Sequence, residues 1–203
     1  MVNPFEYDQP IETGEAAIAR ANHRVTYPAR FQLVAAMNPC RCGMAGEPGH
    51  RCLRGPRCVS DYQARISGPL LDRIDLRVEV PAVTASDLIR PGRAEPSAAI
   101  AARVARARAI QRERHAALGL PPTLTNAHLS NSVVEEVAVP DAAGVALLAD
   151  ASEKLGFSAR AYHRVLKVAR TLADLDGAEA VGRIHLAEAI SYRMAGERLA
   201  QAA

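Results

Sequence analysis

All four cysteines of this 203-residue chain, Cys40, Cys42, Cys52 and Cys58, fall in one glycine-rich stretch, NPCRCGMAGEPGHRCLRGPRC, residues 38–58. Thiolates suit a tetrahedral zinc ion, and glycines at 43, 46, 49 and 55 let a loop fold around one. The order is C-x-C, nine residues, C, five residues, C. It predicts a structural zinc site with all four thiols as ligands and His50 as a reserve ligand. Idle thiols and a redox pair are the other readings; Cys40 with Cys42 would close a strained ring. In a reducing compartment, metal binding outranks disulfides.

Other polar residues stand where they could do chemistry. Asn38 follows the apolar run FQLVAAM. A carboxamide beyond the carboxyl end of a strand can orient a water or touch a phosphate; an Asn before Pro also simply forms a turn. Arg73 lies between Asp72 and Asp75 after Gly68-Pro69. It reads either as a surface ion pair or as an arginine held toward a neighbouring subunit. Arg160 falls in the first turn of a helix capped by Ser158, where a cation opposes the helix dipole. That position makes sense if the helix start faces a phosphate. With Arg164, Lys167 and Arg170 it could equally be a solvated basic face. Arg20, His23 and Arg24 form a basic tip between two short strands.

The elements that must position these residues are readable from periodicity. Residues 15–31 predict two strands around a turn at Asn22. FQLVAAMN, apolar throughout and stopped by Asn-Pro, predicts a strand buried on both faces, as in a parallel sheet. SDYQARISGPLLDRI predicts a helix broken at Gly68-Pro69, and DLRVEVP alternates like a strand. TASDLIRPGRAEP predicts a linker. Four helices follow: from a Ser97 cap to Gly119, from Asp141 to Gly156, from Ser158 to Gly177, and from Gly182 onward.

Composition supports a packed, helix-rich core: 49% of residues are hydrophobic but only 4% aromatic, with no Trp. The net charge of +3 does not announce a nucleic-acid partner, although Lys154 and Lys167 are the only lysines among 25 basic residues. Arg makes forked contacts with phosphates and carboxylates that Lys cannot. No run of about 18 apolar residues could span a membrane, and the N-terminus has no secretory pattern. A cytoplasmic location is expected.

QPIETGEAAIARANHRVTYPARFQLVAAMNPCRCG, ISGPLLDRIDLRVEVP, FSARAYHRVLKVARTLADL and HLAEAISYR, in this order, resemble the C-terminal half of magnesium-chelatase-like AAA+ ATPases of the ComM/YifB type. The resemblance runs from about Gln9 to Arg193. It implies a fold of α/β plus all-α class: residues 1–83 as part of a AAA+ core, 84–96 as linker, and 97–203 as a helical lid. It implies Asn38 as the sensor-1 residue near the γ-phosphate and Arg73 as the arginine finger reaching the next subunit's ATP. Arg160 would be the sensor-2 arginine of the lid. The hairpin carrying Arg20, His23 and Arg24 would point into a ring's pore and touch DNA. For the intact protein it implies ATP and Mg²⁺ as cofactors, a homo-oligomeric ring, typically a hexamer, and DNA remodelling in recombination or competence.

One departure is serious. The P-loop pattern G-x-x-x-x-G-K-[ST] does not occur, and no apolar strand ends in Asp-Glu. The expectation is a fragment, from a truncated or split gene or a piece cut for expression, unable to hydrolyse ATP alone. Two alternatives are a chelatase motor subunit inserting Mg²⁺ into a porphyrin, and a non-enzymatic zinc module binding a partner or nucleic acid.

Overall fold

The computed structural model describes residues 10–11, 13–20, 23–43, 45, 52, 54–55, 57–83, 85–89 and 94–194. Asn22 and His50 lie outside the described residues, as does the side chain of Arg20. The chain divides into two compact units at the Ile74–Asp75 peptide.

Unit 1 begins with an antiparallel hairpin, β1 (Glu15–Arg20) and β2 (His23–Pro28), paired from Glu15↔Pro28 to Arg20↔His23. This is the predicted pair of strands. The Ala29 amide donates to the Gly14 carbonyl at 2.7 Å and closes the open end. Two short helices follow the cysteine loop, α1 (Cys58–Gln63) and α2 (Gly68–Arg73). Ser67 caps α2 by accepting from the Leu70 amide at 3.2 Å, with Pro69 in the first turn, where a missing N–H costs nothing.

The parallel-sheet fragment expected here is absent among the described residues, whose only sheet is the hairpin. Residues 31–38 run without strand pairing, and Val34 is 85% exposed, with Phe31, Leu33 and Met37 about half exposed. An apolar run encodes a strand only where a neighbouring strand takes up its backbone groups, and no described strand lies beside this one. The strand expected at 75–81, in unit 2, is likewise unpaired as a ladder; the Arg77 amide donates instead to the Tyr192 carbonyl at 3.0 Å.

Unit 2 is helical. The predicted linker contains a short helix, α3 (Ala85–Ile89). Then come α4 (Ser97–Ala117), a 3₁₀ turn (Asn126–His128), α5 (Asn131–Val137), α6 (Ala142–Leu155), α7 (Ala159–Asp176) and α8 (Arg183–Met194). Pro96, not Ser97, occupies the cap position of α4, because Ser97 already has helical geometry. Asp141 and Ser158 cap α6 and α7 as predicted, and Gly156 and Gly177 end them in the left-handed conformation at φ 60° and 71°. The 3₁₀ turn and α5 were not foreseen; the Ser130 hydroxyl, accepting from the Val133 amide, was the available start signal.

The core centres on α7, which packs on α4, α5, α8 and the 3₁₀ turn, while α6 packs on α8. Leu148, Val134, Val165, Leu166, Val181, Leu186 and Ile190 fill it. Gly144 permits the close approach of α6 to α8: a Cβ there would lie 2.8 Å from Leu186 Cδ1.

One carboxylate sits inside this core. Asp174, with a fully buried side chain, accepts from Gln111 Nε2 (3.1 Å), Asn126 Nδ2 (2.8 Å), Arg170 Nε (3.0 Å) and Arg114. Arg170 also donates to the carbonyls of Ala178 and Glu179, both at 2.6 Å. The sequence-based reading of Arg170 as part of a basic face is therefore corrected: it is a core residue, 2% exposed. Removing one partner of a buried ion pair strands the other, so Asp174→Ala should destabilise unit 2 by about 3–5 kcal/mol in denaturant titration.

His115 lies beside this network, fully buried, with neither ring nitrogen hydrogen-bonded. Burial, then the charges of Arg114 and Arg108, hold its pKa below the ordinary 6.5, against weaker upward pulls from Asn126 and Asp174. Below pH about 6.5 the unfolded chain therefore binds a proton that the folded chain refuses, and stability falls as the pH drops. Melting curves should show this acid-side loss in the parent chain and a smaller loss in His115→Leu.

Candidate functional site

In unit 1 the four thiols converge, with their Sγ atoms all within 4.8 Å of one another. Cys40 and Cys42 sulfurs are 3.1 Å apart, Cys42 and Cys52 sulfurs 3.2 Å. Cys40 and Cys58 are buried; Cys42 and Cys52 are half-buried. None forms a disulfide. A zinc tetrahedron with Zn–S near 2.3 Å has sulfur–sulfur edges of about 3.8 Å, within the observed spread.

Local backbone explains the convergence. The Gly43 amide donates to the Cys40 carbonyl (3.0 Å) and the Gly55 amide to the Cys52 carbonyl (3.2 Å), so each cysteine opens a tight turn. Gly43 and Gly55 complete those turns at φ 79° and 86°, a region side chains resist. The Cys58 amide then donates to the Gly55 carbonyl at 3.2 Å and leads into α1. Hydrogen bonding to Cys42 pushes the Cys52 thiol up to about 12; Cys58, Cys40 and burial act in the same direction, and the Arg54 backbone amide opposes them. The four close cysteines can hold a thiophilic metal ion.

The predicted phosphate-contacting residues fall on three different segments of chain. Asn38 is exposed, two residues before the buried Cys40. Gln63 Nε2 of α1 donates to the Pro39 carbonyl at 3.3 Å, tying the residue after Asn38 to that helix. In α2, Arg73 Nη1 donates to the Pro69 carbonyl at 3.0 Å, which folds the guanidinium along its own helix. In unit 2, Arg160 is exposed in the first turn of α7. The Ser158 hydroxyl accepts from the Ala161 amide at 3.1 Å and fixes that turn. The described residues of the hairpin, His23 and Arg24 among them, are mostly exposed, and Ile18 faces Val25 across the strands.

Sequence reasoning missed one contact of α7. Asp75, two residues after Arg73, pairs with Arg164 of α7. Lys167 donates to the Ala127 carbonyl at 3.1 Å, and burial together with Arg164 lowers its pKa, opposed by Asp75. Nothing in the spacing of residues 75 and 164 signals their pairing. Arg170 with Asp174 was detectable, being an i, i+4 pair of opposite charge on one helix.

Comparison with known proteins now defines the class. Residues 6–88 match the family model for magnesium chelatase, subunit ChlI, and residues 94–193 match the model for the ChlI C-terminal part. Together they cover nearly the whole chain, which belongs to the magnesium-chelatase family. Among its relatives, the competence protein ComM of Haemophilus influenzae is 43% identical over 91% of this chain and 35% of its own length. YifB of Escherichia coli is 40% identical over the same shares, and an uncharacterized protein of Mycobacterium tuberculosis is 36% identical over 93% of this chain and 36% of its own length. The chain thus spans about a third of the length of the curated relatives it matches. No helix among the described residues is long and apolar enough to cross a membrane.

Because the Ser158 hydroxyl holds the turn that presents Arg160, Ser158→Ala should lower the stability of unit 2 by about 1 kcal/mol in denaturant titration.

Proposed function

We propose that this chain is the sensor- and finger-bearing portion of a AAA+ motor that acts on DNA. Its similarity to a competence protein over 91% of the chain carries the reading. Arg73 is the finger offered to a neighbouring subunit's nucleotide, Arg160 the lid arginine on the nucleotide of its own subunit, and Asn38 the group that orients the attacking water. Phosphoryl transfer depends on positioning and charge neutralisation rather than covalent catalysis by protein groups. ATP and Mg²⁺ are held elsewhere in such a motor, by a P-loop and acidic ligands that this sequence does not contain. Arg20, His23 and Arg24 of the exposed hairpin contact DNA in the pore of a homo-oligomeric ring, a hexamer in the proposed form. The four cysteines bind one structural zinc ion, a role their all-sulfur donor set and spacing support.

A second reading keeps the same parts but makes them a chelatase motor for Mg²⁺ insertion, and the description of the matching family models favours it. In a third reading the chain is a non-enzymatic module; the missing P-loop pattern favours that for the chain by itself.

The purified 203-residue chain should hydrolyse no ATP above background in a phosphate-release assay. In a version joined to a P-loop-bearing portion, Arg73→Ala should leave ATP binding nearly intact and cut hydrolysis by roughly 10³-fold or more, because the finger neutralises charge that appears mainly in the transition state. Arg160→Ala should weaken nucleotide binding as well. DNA-stimulated turnover separates the DNA motor from the chelatase.

A further inference from the structure

We infer that metal binding at the four-cysteine cluster folds unit 1, the ion standing where a hydrophobic core would be, while unit 2 folds without it. The inference rests on the reading of the cluster as a metal site.

The two units differ in what they bury. Among the described residues of unit 1, the buried ones are Cys40, Cys58 and Val59, with Cys42, Ala45 and Cys52 packed against them. The larger apolar side chains of the hairpin and of residues 31–37 are about half exposed, and Val34 more so. Among the described residues, one fully buried valine and a few small thiols, with Tyr62, Ile66, Leu70, Leu71 and Ile74 only partly covered, remove little surface from water to set against the conformational entropy of ordering this unit. Small domains in that position rely on cross-links or metals. Unit 2 has an ordinary core on four helices and needs no such aid.

The cluster has the means to supply what unit 1 lacks. It joins the Cys40 turn, the Cys52 turn and the first residue of α1 through one point. On loading, four S–H bonds break, four protons pass to solvent and four sulfur–metal bonds form; no electrons change hands. The product, a divalent ion with four thiolates, carries two net negative charges. The surrounding sequence is built for that charge. Arg41, Arg51, Arg54 and Arg57 flank the cysteines, and Glu47 is the one acid between residues 38 and 58. Arg41, Arg54 and Arg57 are exposed around the buried sulfurs. Without a dianion to offset, so many cations in so short a loop would repel one another and open it.

The test uses the full chain, purified without added metal, assayed for zinc, then stripped with a chelator under reducing conditions. Limited proteolysis with fragments mapped by mass spectrometry reads each unit separately. The inference predicts cuts between residues 38 and 74 at least tenfold faster in the stripped chain, with residues 97–194 as resistant as before. Added Zn²⁺ should restore protection, but not in Cys40→Ser combined with Cys58→Ser. If about one zinc per chain is bound and released, yet the stripped unit 1 resists cleavage like the loaded one, the inference is overturned and the metal site stands. If neither Zn²⁺ nor Cd²⁺ binds, both fall. Loss of protection in residues 97–194 on stripping would also overturn it.

Discussion

A single buried carboxylate organises unit 2. Asp174 accepts hydrogen bonds from α4 (Gln111, Arg114), from the 3₁₀ turn (Asn126) and from one turn earlier on its own helix (Arg170). A charge out of water is tolerated only when its lone pairs are met and opposite charge is near. Meeting that condition fixes how α4 lies along α7 and where the 3₁₀ turn docks. Arg170 carries the constraint onward, because its remaining N–H groups hold the carbonyls of Ala178 and Glu179 just before α8. Apolar packing supplies most of the driving force, but it is non-directional. The Asp174 network sets the register.

That register extends along α7, whose two ends differ. Its C-terminal half is locked into the core through Arg170 and Asp174. Its first turn, capped by Ser158, leaves Arg160 exposed. Between them Arg164 pairs with Asp75, at the start of the segment that enters unit 2. Asp75 is 41% exposed on its side chain, so the pair adds little stability by itself. It ties the start of the segment at 75–83 to α7 within unit 2. Unit 1 is organised on the opposite principle. Its described residues bury few apolar side chains fully and gather their thiols at one point, and Asn38 lies two residues from the first of them.

Helix boundaries in unit 2 were legible because caps and left-handed glycines are local: Asp141, Ser158, Gly156 and Gly177 each act within one turn. The hairpin was legible for the same reason. The cysteine cluster was legible because every thiol falls within one stretch of chain. The apolar run at 31–38 and the alternating segment at 76–80 misled, since both patterns say that a segment suits a sheet, not that a partner strand is present. Asp174 was not singled out in the sequence: apart from Arg170 one turn away, its partners come from positions 48 to 63 residues distant. The pairing of Asp75 with Arg164 was invisible for the same reason, being set by tertiary packing rather than spacing.

The central claim is that Arg73 acts on a nucleotide held by another subunit. Mixing tests it most directly, using a full-length family member that carries these residues. Subunits with Arg73→Ala are combined with subunits whose P-loop lysine is substituted, each inactive alone, and hydrolysis is measured across mixing ratios. If Arg73 serves the neighbour, some interfaces pair an intact finger with an intact P-loop, and activity returns in part, highest near equal proportions. If mixed rings demonstrably form and no activity returns at any ratio, Arg73 does not act in trans and the account is contradicted.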